Sequence, residues 1–368
     1  MQTSQNHHPL RVGVVGVSWA GQRAIEAFQA QPNVEVVAIA DPDETRTSAV
    51  TTKYQIPYAY ADYNDLVTRD DIDIVSVATP NFLHAPVALA ALQNGKHVLT
   101  EKPMAGSLAE AEAMVQAAIS AGRVLRVVFN HRQRGDVQVL KRYAETGALG
   151  RIYHAKGTWM RRSGIPGLGG WFTDKAKSGG GPLIDLGVHM LDMALHLMDE
   201  PEVTTVSAAT YDEVASRGVG AWEGSRRLAQ GSHFDVEDLA TAFIRFQDGS
   251  TLLLEASWAI YGRSWDDFGV TLYGSEGGAE IKVVNYSYED TLRIFTDTAG
   301  APSVIAPRVT KGEGHIGVVR EFLAIIHSGE WSAHVGREGL RRTQIIDACY
   351  RSAVEGREIA LADLASQI

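Results

Sequence analysis

Short apolar runs alternate with segments of helical pattern from residue 10 to about residue 129. The runs include RVGVVGV, EVVAIAD, DIVSVATP, HVLTEKP and VLRVVFN, with helical patterns such as AIEAFQAQ and LAEAEAMVQAAISAG between them. A run that is apolar throughout suits a strand buried on both faces, and a helix between consecutive strands makes those strands parallel. The pattern predicts an α/β domain over residues 1–129, built on a doubly wound parallel sheet.

The pattern changes after Phe129 to longer and more polar strand-like segments. Examples are YHAKGTWMRR and LATAFIRFQDGSTLLLEASWAI, and the turn signals QDGS and GSEGG separate such segments. Strands of this kind, joined by tight turns, favour an antiparallel sheet with one open face. Residues 130–368 are therefore predicted to form an α+β domain with a large, mostly antiparallel, open-faced sheet. Helices near residues 180–199 and 318–328 are expected to pack against that sheet.

Composition limits the functional classes. A chain of 368 residues exceeds the usual size of a single core, which favours two domains. The formal net charge of -10, with acids and bases interspersed, argues against a nucleic-acid or anionic-membrane partner. The single cysteine, Cys349, excludes an internal disulfide and fits a reducing compartment. The first ten residues lack an export signal and no long apolar window occurs, so a cytoplasmic protein is expected.

A glycine-rich turn follows the first predicted strand. Its sequence, GVSWAG, matches the dinucleotide pattern G-x-G-x-x-G except for a serine at the second glycine, and it stands between a strand and a helix. A small side chain there lets backbone amides approach a pyrophosphate at the helix N-terminus. The alternative is a tight turn without a ligand. The predicted cofactor-binding residues of this turn are Gly16, Ser18, Trp19, Ala20 and Gly21.

Asp41 ends the second apolar run, about twenty residues after the glycine turn. A carboxylate at this position accepts hydrogen bonds from ribose hydroxyls and repels a 2′-phosphate, which favours NAD. Arg46 lies close enough in sequence to keep NADP open, although it could equally be a solvated helix residue.

Polar side chains also follow two further predicted strands, in ATPNFLH and TEKPMAG. Ligands of an open α/β sheet bind outside such strand ends. Pro103 restricts Lys102 to extended conformations, and a partly desolvated lysine beside a cationic nicotinamide can act as a donor or proton carrier. The alternatives are a helix-capping turn for the first segment and a surface lysine for the second. The predicted cofactor contacts in these segments are Thr79, Asn81, His84 and Glu101.

The stretch GGGPLIDLGVHMLDMALHLMD places carboxylates and imidazoles in an otherwise apolar helix. Asp185 and His189 are four residues apart and share a helix face, and the glycines are interpreted as a flexible lead-in. The later members, Asp192, His196 and Asp199, are interpreted as the solvent face of an amphipathic helix. A metal site at Asp185, His189 and Asp192 is the weaker alternative, so no metal is expected.

Together GVVGVSWAG, AIADPD, ATPNFLHAPVALAALQNGKHVLTEKP and GGGPLIDLGVHMLD resemble the glucose-fructose oxidoreductase and inositol dehydrogenase (Gfo/Idh/MocA) family. The resemblance extends from about residue 10 to the GREIAL segment. It implies an N-terminal Rossmann domain, a C-terminal domain with a large open sheet, bound NAD or NADP, and a homodimer or homotetramer built on that sheet. The serine in the glycine turn departs from the commonest family pattern.

By the same resemblance, Lys102, Asp185 and His189 form the catalytic set. In hydride transfer from a secondary carbinol to nicotinamide, His189 would take the hydroxyl proton and Lys102 would stabilise the developing negative charge. Asp185 would bind a neighbouring hydroxyl and favour the imidazolium at His189. The roles of Lys102 and His189 could be exchanged.

The segment WMRRSGIPGLGGWFTDKAKSGGG is rich in aromatic residues and glycine. Trp159 and Trp171 could stack on a sugar ring while Arg132 donates to hydroxyls, although the tryptophans could equally fill a core. The GIPG…WF segment resembles family members acting on pyranose sugars and glycosides, which implies oxidation of a ring hydroxyl of a sugar. The alternatives are an inositol dehydrogenase, an NAD-dependent glycosidase and a non-catalytic nucleotide-binding regulator.

Overall fold

The computed structural model describes residues 8–221, 233–263 and 265–365. The chain divides into two compact units. The first contains Met1–Ala105, Ala109–Val128 and His315–Leu340, and the second contains Gly106–Leu108, Phe129–Gly314 and Arg341–Ile368. These units depart from the predicted domains, 1–129 and 130–368, chiefly because residues 315–340 belong to the first unit.

Eleven α-helices and β-strands lie within the described residues 8–128. They are β1 (Leu10–Val15), α1 (Trp19–Gln29), β2 (Val34–Ala40), α2 (Glu44–Tyr54), β3 (Tyr58–Tyr60), α3 (Tyr63–Val67), β4 (Ile74–Val77), α4 (His84–Gln93), β5 (His97–Thr100), α5 (Leu108–Ala121) and β6 (Leu125–Val127).

The remaining elements are longer on average and richer in strands. They are α6 (Gly135–Glu145), β7 (Ile152–Arg161), α7 (Lys175–Ser178), α8 (Val188–Leu197), β8 (Val203–Tyr211), β9 (Leu239–Phe246), β10 (Thr251–Ser257), β11 (Asp266–Gly274), β12 (Gly278–Val284), β13 (Leu292–Thr298), β14 (Ala301–Ile305), α9 (His315–Ser328), α10 (Arg337–Glu355), β15 (Ile359–Ala360) and α11 (Ala362–Ala365).

The first unit contains a six-stranded parallel sheet in the order β3-β2-β1-β4-β5-β6. Strands β1, β4 and β5 are almost entirely buried because helices cover both faces, as their continuous apolar sequences predict. The strand order reverses between β1 and β4, which is the place where dinucleotides bind in such sheets. The predicted doubly wound Rossmann sheet is confirmed.

Helix α9 packs in the first unit, against α1. Its buried face includes Val319, Phe322 and Ile326, which join the core formed with Ile25 and Phe28 of α1. The prediction that this helix packs on the second sheet was wrong. Its apolar periodicity indicates a buried face, but periodicity alone does not identify the surface that buries it.

The second unit contains a nine-stranded sheet in the order β14-β13-β12-β11-β7-β10-β9-β8-β15. All neighbouring pairs are antiparallel except β7 and β10. One face packs on α8 and the residues preceding it, with Ala256 and Leu254 of β10 in that core, while the other face alternates polar and half-buried apolar residues. The predicted open-faced, mostly antiparallel sheet is confirmed.

None of the helices within the described ranges combines the length and the apolar character needed to cross a bilayer.

Candidate active site

The glycine turn after β1 is shaped by close backbone approach. Gly16 has φ +81°, and a Cβ atom there would lie 2.5 Å from the carbonyl oxygen of Ala78. A Cβ atom on Gly21 would collide with the carbonyl oxygen of Gly16. Both predicted glycine positions therefore require glycine: Gly16 because of its positive φ, and both residues because a Cβ atom would clash with a neighbouring backbone.

Helix α1 begins at Trp19 directly after this turn. Ser18 has an extended conformation, but its side chain makes no capping hydrogen bond to the first turn. A helix start without a side-chain cap leaves backbone N–H groups, including those of Trp19 and Ala20, available to an anion. The turn thus suits the pyrophosphate of a dinucleotide.

Asp41 follows β2 and is 6% exposed. Its Oδ2 accepts a hydrogen bond from the backbone N–H of Val17 at 3.0 Å, and its Oδ1 accepts from the N–H of Asp43 at 3.0 Å. Arg46 Nη1 lies 3.0 Å from both carboxylate oxygens. The carboxylate is therefore fixed beside the glycine turn, as a ribose-binding acid must be. Arg46, left open between a cofactor contact and a solvated residue, is an ion-pair partner of Asp41 and Asp43.

His84 lies at the start of α4 and is 1% exposed. Its Nδ1 is 2.7 Å from the carbonyl oxygen of Pro103, and its Nε2 is 2.9 Å from that of Thr79. Burial lowers the pKa of this imidazole. Both ring nitrogens therefore face carbonyl oxygens of the protein, and the cofactor contact of His84 stays a prediction. The ring connects the loop after β4, where Asn81 lies, to the loop after β5.

Glu101 and Lys102 follow β5 and are half-buried. The backbone N–H of Glu101 donates to the carbonyl oxygen of Val77 at 2.8 Å, which places this loop beside the end of β4. Glu101 Oε1 lies 3.5 Å from His315 Nε2, and the His315 ring meets the ring of Trp19 edge-on at 6.2 Å. Sequence reasoning missed His315, since nothing near residue 315 resembles a nucleotide motif.

In the second unit, the three glycines at residues 179–181, which precede the segment with Asp185 and helix α8, are tightly packed. Gly179 has φ +85°. A Cβ atom on Gly180 would collide with the hydroxyl of Tyr350, and one on Gly181 would collide with the carbonyl oxygen of Glu237. The interpretation of this segment as a flexible lead-in was wrong: the glycines are needed so that other residues can approach the backbone closely.

Asp185 lies in a single π-helical turn, Leu183–Gly187, that runs directly into α8. Single π turns of this kind are frequent at functional sites. Asp185 Oδ2 accepts a hydrogen bond from Trp258 Nε1 at 2.9 Å, so a buried indole fixes the carboxylate. The catalytic role of Asp185 stays a prediction.

His189 lies on the first turn of α8 and is 8% exposed. Aromatic rings surround it, with the ring centroids of His131 at 4.6 Å and of Trp159 at 5.6 Å. Trp159 is itself buried, donates from Nε1 to Asp266 at 2.7 Å, and packs on Phe268 at 4.5 Å. The structure therefore places Trp159 in the core that supports His189. His131 is a further neighbour that sequence reasoning missed.

Asp192 lies in a buried ionic network and is 1% exposed. It accepts hydrogen bonds from Arg132 Nε at 2.8 Å and Arg342 Nε at 3.0 Å, and Arg342 also pairs with Glu200. The prediction that Asp192 belongs to a solvent face was wrong, because the cations come from elements far away in sequence. Arg132, predicted to bind substrate, is held by this network.

His196 lies in the last turn of α8, and Asp199 follows the end of that helix. His196 is half-buried with its Nε2 shielded from solvent, so its ring is not on a solvent face either, and burial is the main cause that lowers its pKa to about 4. Asp199 is exposed, as predicted, and pairs with Lys141 at 3.2 Å.

Trp171, the remaining predicted substrate contact, is half-buried and stacks on Phe172 with ring centroids 3.8 Å apart. Nearby, Asp174, His233 and Asp235 have ligand atoms within 4.8 Å of one another. These side chains are already engaged: Asp174 accepts from Ala176 N–H and Lys177, and Asp235 accepts from Lys175 N–H and contacts His233. The cluster is explained by local hydrogen bonds.

Comparison with known proteins identifies the family. The profile described as "Oxidoreductase family, NAD-binding Rossmann fold" matches residues 10–129, and the profile of the GFO/IDH/MocA C-terminal domain matches residues 137–280. The chain belongs to the GFO/IDH/MocA oxidoreductase family. The family resemblance and the NAD-binding domain predicted from sequence are confirmed.

Individual relatives of the chain are dehydrogenases of carbohydrates. D-glucoside 3-dehydrogenase of Escherichia coli (strain K12) is 29% identical over 98% of this chain and 100% of the relative. Levoglucosan dehydrogenase of Pseudarthrobacter phenanthrenivorans is 31% identical over 77% of this chain and 76% of the relative. A solved structure of levoglucosan dehydrogenase with NADH and levoglucosan has a TM-score of 0.82, at 27% identity, covering 96% of this chain and 99% of that one.

Proposed function

We propose that the protein oxidises a secondary ring hydroxyl of a sugar or glycoside and transfers the hydride to NAD. The observation that carries this proposal is the fixed pair on one buried helix, Asp185 held by Trp258 and His189 set among aromatic rings. A carboxylate and an imidazole at this spacing supply a hydroxyl acceptor and a general base. The relatives named above support a carbohydrate as the substrate.

The proposed catalytic set is Lys102, Asp185 and His189. Bound NAD would accept the hydride that leaves the carbinol carbon. His189 takes the hydroxyl proton, so that the alcohol becomes a ketone with loss of one hydride and one proton. Lys102 donates to the reacting oxygen and stabilises its developing charge. Asp185 binds a neighbouring hydroxyl and favours the imidazolium form of His189.

The cofactor-binding part of the proposal rests on the first unit. The uncapped start of α1 would hold the pyrophosphate, and Asp41 would accept hydrogen bonds from the adenosine ribose. Glu101 and Asn81 lie at the carboxyl ends of β5 and β4, the edge where ligands of such sheets bind.

The substrate class is tested by following NADH absorbance with the purified protein, NAD or NADP, and a panel of sugars, glycosides and inositols. Absorbance that rises with a pyranose or glycoside supports the proposal. A rise with an inositol alone would assign a cyclitol dehydrogenase instead. Glycosidic cleavage without net NADH would indicate the glycosidase, and cofactor binding without any turnover would indicate the regulator.

We further propose that the open face of the second sheet joins copies of the chain into a homo-oligomer. Tyr273, Phe295 and Val304 point to this face and are 37%, 40% and 60% exposed, with half-buried Phe243 and Leu253 on neighbouring strands of the sheet. An apolar patch across several strands marks an interaction surface. Light scattering coupled to size-exclusion chromatography tests this, since Phe295→Glu should release monomers.

We also propose a cytoplasmic location. The buried, unpaired Cys349 supports it, because burial raises the pKa of its thiol to about 12 and a reducing compartment keeps such a thiol free. Fluorescence microscopy of a tagged full chain tests the location.

A further inference from the structure

A buried carboxylate lies against the start of the helix that carries the proposed catalytic pair. Glu237, just before β9, is 8% exposed. Its Oε2 accepts a hydrogen bond from the backbone N–H of Gly181 at 3.0 Å, and its Oε1 accepts from the N–H of Leu183 at 3.1 Å. Tyr350 of α10 donates its hydroxyl hydrogen to the same Oε1 at 2.9 Å. Both oxygens of the carboxylate are thus used to hold one turn of backbone.

These contacts satisfy a requirement of the helix start. The first N–H groups of a helix have no partner within the helix, and the positive end of its dipole favours an anion. Pro182 has no N–H, so Gly181 and Leu183 supply the donors on either side of it, and Glu237 accepts from both. Burial raises the pKa of Glu237, and these backbone donors act against that rise.

The anchor leads directly to Asp185. The N–H of Asp185 donates to the carbonyl oxygen of Gly181 at 3.1 Å, so the same residue that binds Glu237 also binds Asp185. The close approaches of Gly180 to Tyr350 and of Gly181 to Glu237 leave no space for this segment to shift toward either residue. Glu237 is therefore connected to the turn on which Asp185 lies through a single residue, Gly181.

We propose that Glu237, supported by Tyr350, is a positioning residue for hydride transfer that fixes the turn carrying Asp185 and, one turn later, His189. The inference rests on the proposed function of that pair. Neither Glu237 nor Tyr350 needs to touch the substrate. Since a displacement of about 1 Å in a catalytic group can cost 10²-fold in rate, loss of the anchor should lower kcat while cofactor binding is retained.

Glu237→Gln and Tyr350→Phe test the two halves of the anchor. Glutamine keeps one acceptor oxygen but presents an NH₂ group to a backbone N–H, so one of the two helix donors loses its partner. We expect E237Q to lower kcat about 10-fold or more, with NAD affinity unchanged. Phenylalanine removes only the phenolic donor, so Y350F should have a smaller effect in the same direction. The double variant should be less than additive, because both changes act on the same turn.

Asp238→Asn provides a matched control from the adjacent residue. Asp238 is 1% exposed and accepts hydrogen bonds from the backbone N–H groups of Val214 and Ala215 at 2.6 and 2.8 Å. It is thus also a buried carboxylate that holds backbone N–H groups, but it holds a different turn. D238N should lower thermal stability while keeping a near-normal kcat per folded protein.

The experiment measures kcat, KM for the sugar, NAD affinity and amide hydrogen exchange of residues 179–190 in the full-length protein. Faster exchange in that peptide together with lower kcat in E237Q and Y350F, but not in D238N, supports the positioning role. Normal kcat in folded E237Q and Y350F overturns it, as does an equal loss in D238N. If E237Q does not fold, Y350F decides by the same criteria.

Hydrogen exchange keeps this test separate from the proposed function. A wild-type protein that oxidises nothing on the sugar panel would contradict the function, whereas slow exchange of residues 179–190 that speeds up in E237Q would still establish the anchor. Unchanged exchange in a wild type that is active would contradict the anchor and leave the function intact.

Discussion

The indole N–H of Trp258 donates a hydrogen bond to Asp185 Oδ2 over 2.9 Å. Trp258 follows β10 and is completely buried, and its own backbone N–H donates to the backbone carbonyl oxygen of Asp238 at 3.0 Å, a contact that does not involve the side chain of Asp238. The sheet therefore determines where this carboxylate points. A residue 73 positions away in sequence thus orients the acid of the proposed catalytic pair.

Trp258→Phe should lower kcat about 10-fold, because a hydrogen bond to a charged group contributes about 1.5–3 kcal/mol and the remaining ring keeps most of the packing. Steady-state oxidation of the sugar identified by the panel measures this. Trp331→Phe is the matched control, since Trp331 Nε1 also donates a hydrogen bond, at 2.9 Å, to the carbonyl oxygen of Ile326 in the first unit. Equal losses in both variants would contradict an orienting role for Trp258.

Lys102→Met should abolish sugar oxidation while NAD still binds. The amine is removed but the length of the side chain is kept, and a positioned donor or proton carrier contributes about 10²–10⁴-fold in rate. Lys53→Met, a more exposed lysine of the same unit, should oxidise sugar at the wild-type rate. Protein fluorescence titrated with NAD separates binding from turnover. Retained turnover in Lys102→Met would remove this lysine from the proposed set.

Asp41→Ser should shift preference from NAD toward NADP. The change removes the acceptor expected for the ribose hydroxyls and releases Arg46, which now pairs with Asp41 at 3.0 Å, to meet a 2′-phosphate. The ratio of kcat/KM for NAD over NADP should fall by about 10-fold or more. Adding Arg46→Ala to Asp41→Ser should remove the gain with NADP. A ratio that stays constant in Asp41→Ser would show that Asp41 does not select the cofactor.

The sequence predicted the sheets more fully than the packing between elements. Continuous apolar runs identified β1, β2, β4, β5 and β6, because a strand that is buried on both faces is apolar at nearly every position of its own sequence. The edge strand β3 has three residues and no such run, so it was missed. Helix α9 was predicted but placed in the wrong unit. The spacing of apolar residues in its sequence shows that one face is buried, but it does not show which other element covers that face.

For the candidate site, too, features within one segment were predicted from the sequence, whereas contacts between distant segments were not. Motif spacing identified the glycine turn, Asp41 and the pair Asp185 and His189. It did not identify Glu237, which binds the turn before Asp185, or Trp258, which binds Asp185 itself, because both hydrogen bonds join residues distant in sequence. The polar spacing that indicated a solvent face at Asp192 instead marks a buried ionic network, because nothing local to the helix reveals cations from other elements.

That network predicts a large difference between two aspartates near one helix. Asp192→Asn should destabilise the second unit by about 3–5 kcal/mol, because it leaves Arg132 and fully buried Arg342 without their shared carboxylate. The melting temperature should fall by about 10 °C. Asp199→Asn, whose side chain is 94% exposed, should leave it unchanged. Differential scanning calorimetry compares the two, and equal melting temperatures would contradict a structural role for the network.

His97 should make the stability of the first unit depend on pH. Its Nδ1 accepts a hydrogen bond from the backbone N–H of Val124 at 3.1 Å, and burial, with a smaller effect of Arg123, lowers its pKa from 6.5 to about 4. Between these values the unfolded chain binds a proton that the folded state excludes, so stability is complete above pH 6.5 and is lost as the pH falls toward 4. The loss should reach about 2 kcal/mol at pH 5.

His97→Asn keeps an acceptor for the N–H of Val124 but does not titrate. The free energy of unfolding in urea, measured at pH 7 and pH 5, should therefore fall less in this variant than in the wild type, while other titrating groups contribute equally to both. His8→Asn, at an exposed position, should behave as the wild type does. Identical pH dependence in His97→Asn and the wild type would show that protonation of His97 is not coupled to folding.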